Sequence, residues 1–370
     1  MKEFRVELKK VVDDSYNVQI GRNLIPVLIE DIKNGLAGNI KKFAVITDSI
    51  VEPLYGKPVL EALKKEGYQG DLFVFPAGEK SKVRKTKEML EDAMLAKEYR
   101  RDCCVIAVGG GVVTDLAGFL AGTFGRGVPF INFATTLLAA ADASIGGKTA
   151  VDTELATNLI GLIYQPLKVY VDIDTWKTLP KRHMINGLAE TIKHACLADE
   201  AFFDYIEAHV DEILSCHPEA CEYISGKNCE VKYKVVMQDE REKSYREVLN
   251  LGHTVGRAIE TVSEYCLLHG EALSIGMAAQ VKLGCQSGYL SEEQRDRVIS
   301  LLERVGLPVT IPDYIDKEKL VRKLYTDKKV RNGKLRFVFQ QGIGKVMTFG
   351  EDVYAREVAE EEIRDIILAM

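Results

Sequence analysis

Apolar positions along this chain follow one spacing up to about residue 180 and another after it. In the first half, short apolar runs rich in β-branched residues predict strands at Lys42–Asp48 (KFAVITD), Asp71–Phe75 (DLFVF), Cys103–Val108 (CCVIAV), Phe130–Phe133 (FINF) and Val169–Asp172 (VYVD). Between them, residues 52–66, 82–98 and 114–123 carry apolar side chains at three- and four-residue intervals and predict amphipathic helices. Strands separated by helices imply βαβ units and a mostly parallel sheet. Near the start, Phe4–Leu8 and Tyr16–Ile20, separated by Asp13-Asp14-Ser15, predict a hairpin added to that sheet.

After Leu179-Pro180 the period becomes helical and stays so. Residues 181–198, 202–214, 217–237, 252–266, 270–287 and 292–305 follow one another with few β-branched clusters. Because Pro180 prevents continuous structure, the expected division is an α/β domain over 1–179 and an all-helical domain over 180–370.

The 370 residues, 46% hydrophobic, are enough for two domains with real cores. No apolar run approaches the ~18–20 residues that span a bilayer, and Met1-Lys-Glu-Phe-Arg lacks the apolar stretch of a signal peptide, so a soluble, unexported, cytoplasmic protein is expected. Eight cysteines without a Cys-x-x-Cys pair are expected to be reduced and mostly buried. The net charge of −6, with no basic block, argues against nucleic acid or an anionic membrane as the main partner. An anionic small molecule held by a few local cations remains open.

Candidate chemistry gathers in a few places. Gly109-Gly110-Gly111 follows a predicted strand and precedes a predicted helix; such a turn lets backbone approach a pyrophosphate, and equally serves as a tight βα turn. Ser144-Ile145-Gly146-Gly147-Lys148-Thr149 looks like a phosphate loop but lacks its spacing, since position 142 is Asp; Lys148 is then a mobile cation for phosphate or carboxylate, or a solvated lysine. His253 and His269 each sit beside glycine at a predicted helix start. A carboxylate from a third helix, best Glu190 in a small and apolar stretch, would complete a His₂Glu site of catalytic zinc type; the plainer reading is buried histidines with hydrogen-bond partners. Lys193, Lys232, Arg246, Lys328 and Lys329 lie in the same helical half, with Asn250.

Taken together these segments resemble the 3-dehydroquinate synthase family of the sugar-phosphate cyclases. The resemblance runs through 109–152 (GGGVVTDLAGFLAGTFGRGVPFINFATTLLAAADASIGGKTAVD), NLIGLIYQP (158–166), GLAETIKHA (187–195), DEREKSYREVLNLGHTVGRAIE (239–260), LHGEALSIGM (268–277) and TDKKVRNGKLRFVF (326–339). It implies a Rossmann-like NAD-binding α/β domain, a helical metal-binding domain and a cleft between them. By resemblance Glu190, His253 and His269 are ligands of zinc or cobalt, while Asp48, Glu79, Lys82, Gly110, Gly111, Asp115, Thr135, Thr136, Lys148 and Thr178 contact NAD. Asp142, Lys148, Lys193, Glu242 and Arg257 match catalytic positions around the reacting substrate, with Asn158, Lys232, Arg246, Asn250 and Lys328 as further substrate contacts. Arg126 matches an arginine that reaches the neighbouring site in a homodimer.

The implied substrate is 3-deoxy-D-arabino-heptulosonate 7-phosphate. The implied reaction oxidises C5 with NAD, eliminates phosphate, reduces C5 again and closes the ring by an aldol step. Six positions depart from the family pattern, Ile50, Thr114, Asp152, Thr157, Ser244 and Arg257, and two of them bear most on the site. The family's second histidine in G-H-T-x-G-H, placed in proton transfer, is Arg257 here, and its lysine before Asn158 is Thr157. Arginine stays charged and is no base near neutral pH. Neighbouring expectations are a sibling cyclase of the 2-deoxy-scyllo-inosose or valiolone type, a dehydrogenase with net NAD turnover, and an NAD- and metal-binding paralogue without turnover. Retention of Lys232, Arg246 and Asn250 favours an acid substrate, and Lys148, Asn158 and Arg126 favour a phosphorylated one.

Overall fold

The computed structural model describes residues 3–325 and 334–370, so Lys328 and Lys329 lie outside the described residues. Among these, six parallel strands form the main sheet: β1 (Asn17–Gly21), β2 (Lys42–Asp48), β3 (Gln69–Phe75), β4 (Cys103–Gly109), β5 (Phe130–Ala134) and, later in the chain, Lys168–Asp172. Two short antiparallel strands, β6 (Lys148–Val151) and β7 (Ile160–Ile163), precede the last of these, which is therefore β8. The sheet order is β1-β8-β5-β4-β2-β3. All seven residues of β4 are buried, as expected for a central strand of an α/β sheet covered on both faces.

The expected N-terminal hairpin does not form. Phe4–Leu8 is no strand, and Phe4, Val6 and Leu8 are exposed. The second half of that pattern instead enters the main sheet in parallel, Asn17 opposite Lys168 and Gly21 opposite Asp172. Hydrogen bonds to residues far along the chain hold it there: Tyr16 Oη accepts from Gly146 N at 2.8 Å, and the Asp172 carboxylate accepts from Asn23 N at 3.1 Å and Leu24 N at 2.7 Å. An alternating pattern reports a half-buried strand but not the direction of its partner.

Beyond Pro180 the chain is mainly helical, with helices at Lys181–Ala198, Pro218–Gln238, His253–Val262, His269–Gln286 and Glu292–Arg304. This half also holds an antiparallel pair, β9 (Leu335–Val338) and β10 (Ala355–Val358), so it is not all-helical; their four-residue strands are too short to stand out by period. One apolar core crosses the boundary, packing Leu137, Val171 and Trp176 from the strand-bearing half against Leu188, Ile192 and Leu273. Of the cysteines, Cys103, Cys104, Cys196 and Cys221 are buried, while Cys266 is exposed. No helix of the described residues is long and apolar enough to cross a membrane.

Candidate active site

Three helices meet where glycine lets their backbones touch. A Cβ on Gly270 would lie 2.0 Å from the carbonyl oxygen of Asn186, and one on Gly276 would lie 2.1 Å from that of Gly252. The Lys181–Ala198, His253–Val262 and His269–Gln286 helices are thereby held at close approach. Gly252 also has φ of 74°, the left-handed region open to glycine, and this turns the chain into His253.

The consequence is that Glu190, His253 and His269 point at one spot. Glu190 Oε1 lies 3.4 Å from His253 Nε2 and 3.2 Å from His269 Nε2. Ligands bound tetrahedrally at 2.0–2.1 Å stand about 3.3 Å apart, so these spacings are those of a zinc-sized site. The second ring nitrogens are occupied elsewhere: His253 Nδ1 lies 3.2 Å from Leu251 O, and His269 Nδ1 lies 3.4 Å from Glu260 Oε2. Such partners fix the tautomer that presents Nε2 to a metal. Glu190 is fully buried; burial alone would raise its pKa, but Lys193, one turn on and ion-paired to Glu190, pulls it down to about 2 and keeps it ionised.

Charged groups surround this cluster. Lys232 pairs with Asp142, whose carboxyl is held well below its usual range, against burial, by Lys232 and Lys193. Lys148 pairs with Glu242, and Asn250 Nδ2 donates to Glu242 Oε1 at 2.9 Å. Arg246 is buried and donates through Nη2 to Gly146 O at 3.0 Å. Burial of the Lys148 ammonium pulls its pKa down to about 8, with Glu242 opposing and Arg246 adding to the fall, although nearly half of that side chain remains exposed.

The other expected contacts line the C-terminal edge of the parallel sheet. Asp48 ends β2, the triple glycine ends β4, and Thr135 and Thr136 follow β5. The chain leaves β2 toward β3 but leaves β4 toward β5, so the crevice between the ends of β2 and β4 is a topological switch point, where open α/β sheets bind ligands. There the Gly111–Thr123 helix begins without a side-chain cap, leaving N–H groups free for an anion, and Thr135 Oγ1 is buried without a partner. Lys82 Nζ lies 2.6 Å from Asp115 Oδ2 and 3.5 Å from Glu79 Oε1. Asp48 Oδ1 accepts from the N–H groups of Ile50 at 2.8 Å and Val51 at 2.9 Å, and Thr178 shares a 2.7 Å hydrogen bond with Tyr55.

The sequence matches models of both halves of one enzyme family, 3-dehydroquinate synthase N-terminal over residues 72–186 and 3-dehydroquinate synthase C-terminal over 187–330. The chain belongs to the 3-dehydroquinate synthase family. A 3-dehydroquinate synthase of Pelobacter propionicus is 42% identical over 334 residues, covering 90% of this chain and 92% of the relative. Among solved structures, 2-epi-5-epi-valiolone synthase of Streptomyces hygroscopicus with NAD+ and Zn2+ bound superimposes with a TM-score of 0.86 at 29% identity, covering 99% of each chain. A 2-deoxy-scyllo-inosose synthase complexed with carbaglucose-6-phosphate, NAD+ and Co2+ gives 0.86 at 25% identity over 95% of each chain.

Not every residue matched to 3-dehydroquinate synthases joins the cluster. Arg126 is exposed on the Phe124–Arg126 turn and forms no hydrogen bond or ion pair with it. Asn158 is exposed on the segment between β6 and β7, its N–H donating to Asp152 Oδ1 at 2.7 Å. Arg257 follows His253 by one turn and lines a separate cavity beside Thr157. Two further groups emerge from the structure. Glu260 orients His269, and its place seven residues after His253 on one helical face was a legible signal. His194 is buried, its Nδ1 3.0 Å from Asn228 Oδ1 and its pKa pushed down to about 4 by burial and Lys193; its spacing alone gave no sign of that burial.

Proposed function

We propose that this chain is a 3-dehydroquinate synthase, converting 3-deoxy-D-arabino-heptulosonate 7-phosphate to 3-dehydroquinate and phosphate as a carbon–oxygen lyase. The observation that carries this reading is the convergence of Glu190, His253 and His269 within a ring of cations, beside the crevice at the ends of β2 and β4. When bound, NAD takes and returns a hydride at C5, and zinc or cobalt held by Glu190, His253 and His269 polarises the C5 hydroxyl.

The residues of this chain supply binding and proton handling around that chemistry. Arg246 and Lys232 hold the substrate carboxylate, the guanidinium in two-pronged fashion. Lys148 and Asn158, with Arg126 of a second copy in a homodimer, hold the phosphate. Oxidation at C5 makes the neighbouring C–H acidic, so its proton leaves as the phosphate departs, and the departing phosphate itself accepts that proton. Lys193 and Asp142 lie between the metal ligands and Lys232, where they hold hydroxyls of the substrate in place. Asp48, Glu79, Lys82, Gly110, Gly111, Asp115, Thr135, Thr136 and Thr178 would line the nucleotide's path along the sheet edge, with the first turn of the Gly111–Thr123 helix facing its pyrophosphate. The protein works in the cytoplasm as a homodimer in this reading.

The test is to incubate metal-loaded protein with the heptulosonate phosphate and catalytic NAD, following inorganic phosphate and cyclic product together. Equal amounts of phosphate and dehydroquinate without NADH accumulation are expected. No phosphate release from a protein that binds NAD and zinc would refute the assignment and direct the assay to other sugar phosphates.

A further inference from the structure

The segment 239–250 carries three groups of the site, Glu242, Arg246 and Asn250, yet little of it is regular, and only Tyr245–Asn250 forms a short 3₁₀ helix. Glu242 has φ of 54°, a left-handed backbone that a non-glycine residue keeps only where its surroundings over-determine it. One constraint is internal. The Asp239 carboxylate accepts from the N–H groups of Lys243 at 2.9 Å, Ser244 at 2.8 Å and Arg246 at 3.0 Å, which folds the segment around one acidic side chain.

The second constraint comes from β9, β10 and the chain between them. Ser244 Oγ donates to Asp352 O at 2.7 Å, across 108 positions. The rings of Tyr245 and Tyr354 meet edge to face with centroids 5.1 Å apart, both partly buried against the main core. Glu247 Oε2 lies 3.5 Å from Arg336 Nη2 of β9, and the same nitrogen donates to Ala355 O of β10 at 3.1 Å. Asp352 belongs to a closed turn, in which Phe349 N donates to Val353 O at 2.8 Å, so its carbonyl is presented by formed structure. Residues 244, 245 and 247 therefore face the strand pair. Glu242 and Arg246 face the site, where Glu242 pairs with Lys148 and accepts from Asn250 Nδ2, and Arg246 donates to Gly146 O.

We propose that the β9–β10 pair and its turn brace the substrate-binding segment, with Ser244 and Tyr354 as positioning residues that hold Glu242 and Arg246 in place. Neither residue touches substrate; both act through the backbone of 239–250. A guanidinium that grips a carboxylate with two parallel bonds must be held to within about 0.5 Å, and Asp239 alone ties the segment only to itself. The inference deepens the synthase reading and rests on it for what Arg246 and Glu242 bind.

The experiment compares wild type, Ser244→Ala, Ser244→Thr and Tyr354→Leu, each loaded with metal and NAD. It measures steady-state phosphate release from the heptulosonate phosphate, hydrogen exchange over 239–250 without substrate, and thermal unfolding. Ser244→Ala is expected to raise KM about 3- to 10-fold, the worth of one hydrogen bond, with kcat within about twofold of wild type. Exchange in the segment should quicken by a similar factor, and Ser244→Thr, which keeps the hydroxyl, should restore both. Tyr354→Leu should shift KM and exchange in the same direction. Unchanged exchange in Ser244→Ala and Tyr354→Leu would overturn the brace. Faster exchange or a lower unfolding temperature with an unchanged KM would overturn the positioning role and leave an ordinary structural contact. Wild type that releases no phosphate would remove the synthase reading, while the exchange rates would still decide whether the brace exists.

Discussion

Substituting Gly276 by alanine tests whether helix spacing builds the metal site. The new Cβ would stand 2.1 Å from Gly252 O and 2.6 Å from Gly256 N, whereas ordinary contact begins near 3.4 Å. Backbone on both sides leaves no flexible side chain to yield, so the helices must part by about 1.3 Å, the difference between 2.1 and 3.4 Å. His253 starts one of these helices and His269 the other, and metal–ligand distances tolerate only about 0.2 Å. Loss of one ligand from the set is expected to lower zinc affinity by at least about 100-fold, some 2.7 kcal/mol. Overpacking should separately cost the metal-free protein about 1–3 kcal/mol. Competition against a chelator of known affinity measures the first, and urea unfolding of metal-free protein the second. Gly276→Ala that unfolds earlier yet binds zinc as wild type does would refute the link between helix contact and site geometry.

Three other outcomes follow from the same structure. His269→Ala should lose bound metal and activity while its far-UV circular dichroism stays close to wild type; full metal occupancy would exclude His269 as a ligand. Lys148, with its pKa near 8, carries its proton below that pH and loses it above, so the KM for a phosphorylated substrate should climb past about pH 8. Lys148→Arg, always charged, should abolish that climb, and a profile unchanged by it would show that another group titrates. Asp172→Ala removes the acceptor for three backbone N–H groups, of Asn23, Leu24 and Asp174. A fall of about 2–4 kcal/mol in unfolding free energy is expected, with an unshifted urea midpoint as the refuting result.

Much of this could be read from residues alone, and what could not has a physical pattern. Lys42–Asp48 is a strand with the bounds its apolar run gives, because a β-branched run buried on both faces has no competing local structure. Glu190, His253 and His269 were legible as candidates, since an acid in a small apolar stretch and two glycine-flanked histidines each demand a partner. That both histidines face one oxygen of Glu190 at 3.2–3.4 Å depends on helix contacts at Gly270 and Gly276, which a one-dimensional period does not contain. The misreading of Phe4–Leu8 and Tyr16–Ile20 has the same origin: each run showed a strand's alternation, but the true partner of the second lies far along the chain. β6 and β7 were missed because Asp152–Leu159 between them is longer than a hairpin turn, and each strand has four residues.

The pairing of β1 with β8 also bears on how the protein is made. Asn17 meets Lys168, 151 positions later, so at about 5–20 residues per second the first strand waits roughly 8–30 s on the ribosome before its partner has been synthesised. During that interval Val18 and Ile20, which later pack against the core, have no sheet to join. The other five strands need no such delay, since β2 to β5 assemble among themselves from consecutive segments and β8 adds to β5 as it emerges. The N-terminal strand is thus the last piece of the sheet to lock, although it is the first to leave the exit tunnel. It closes the longest loop in the sheet, and closure over that sequence separation slows pairing at this edge.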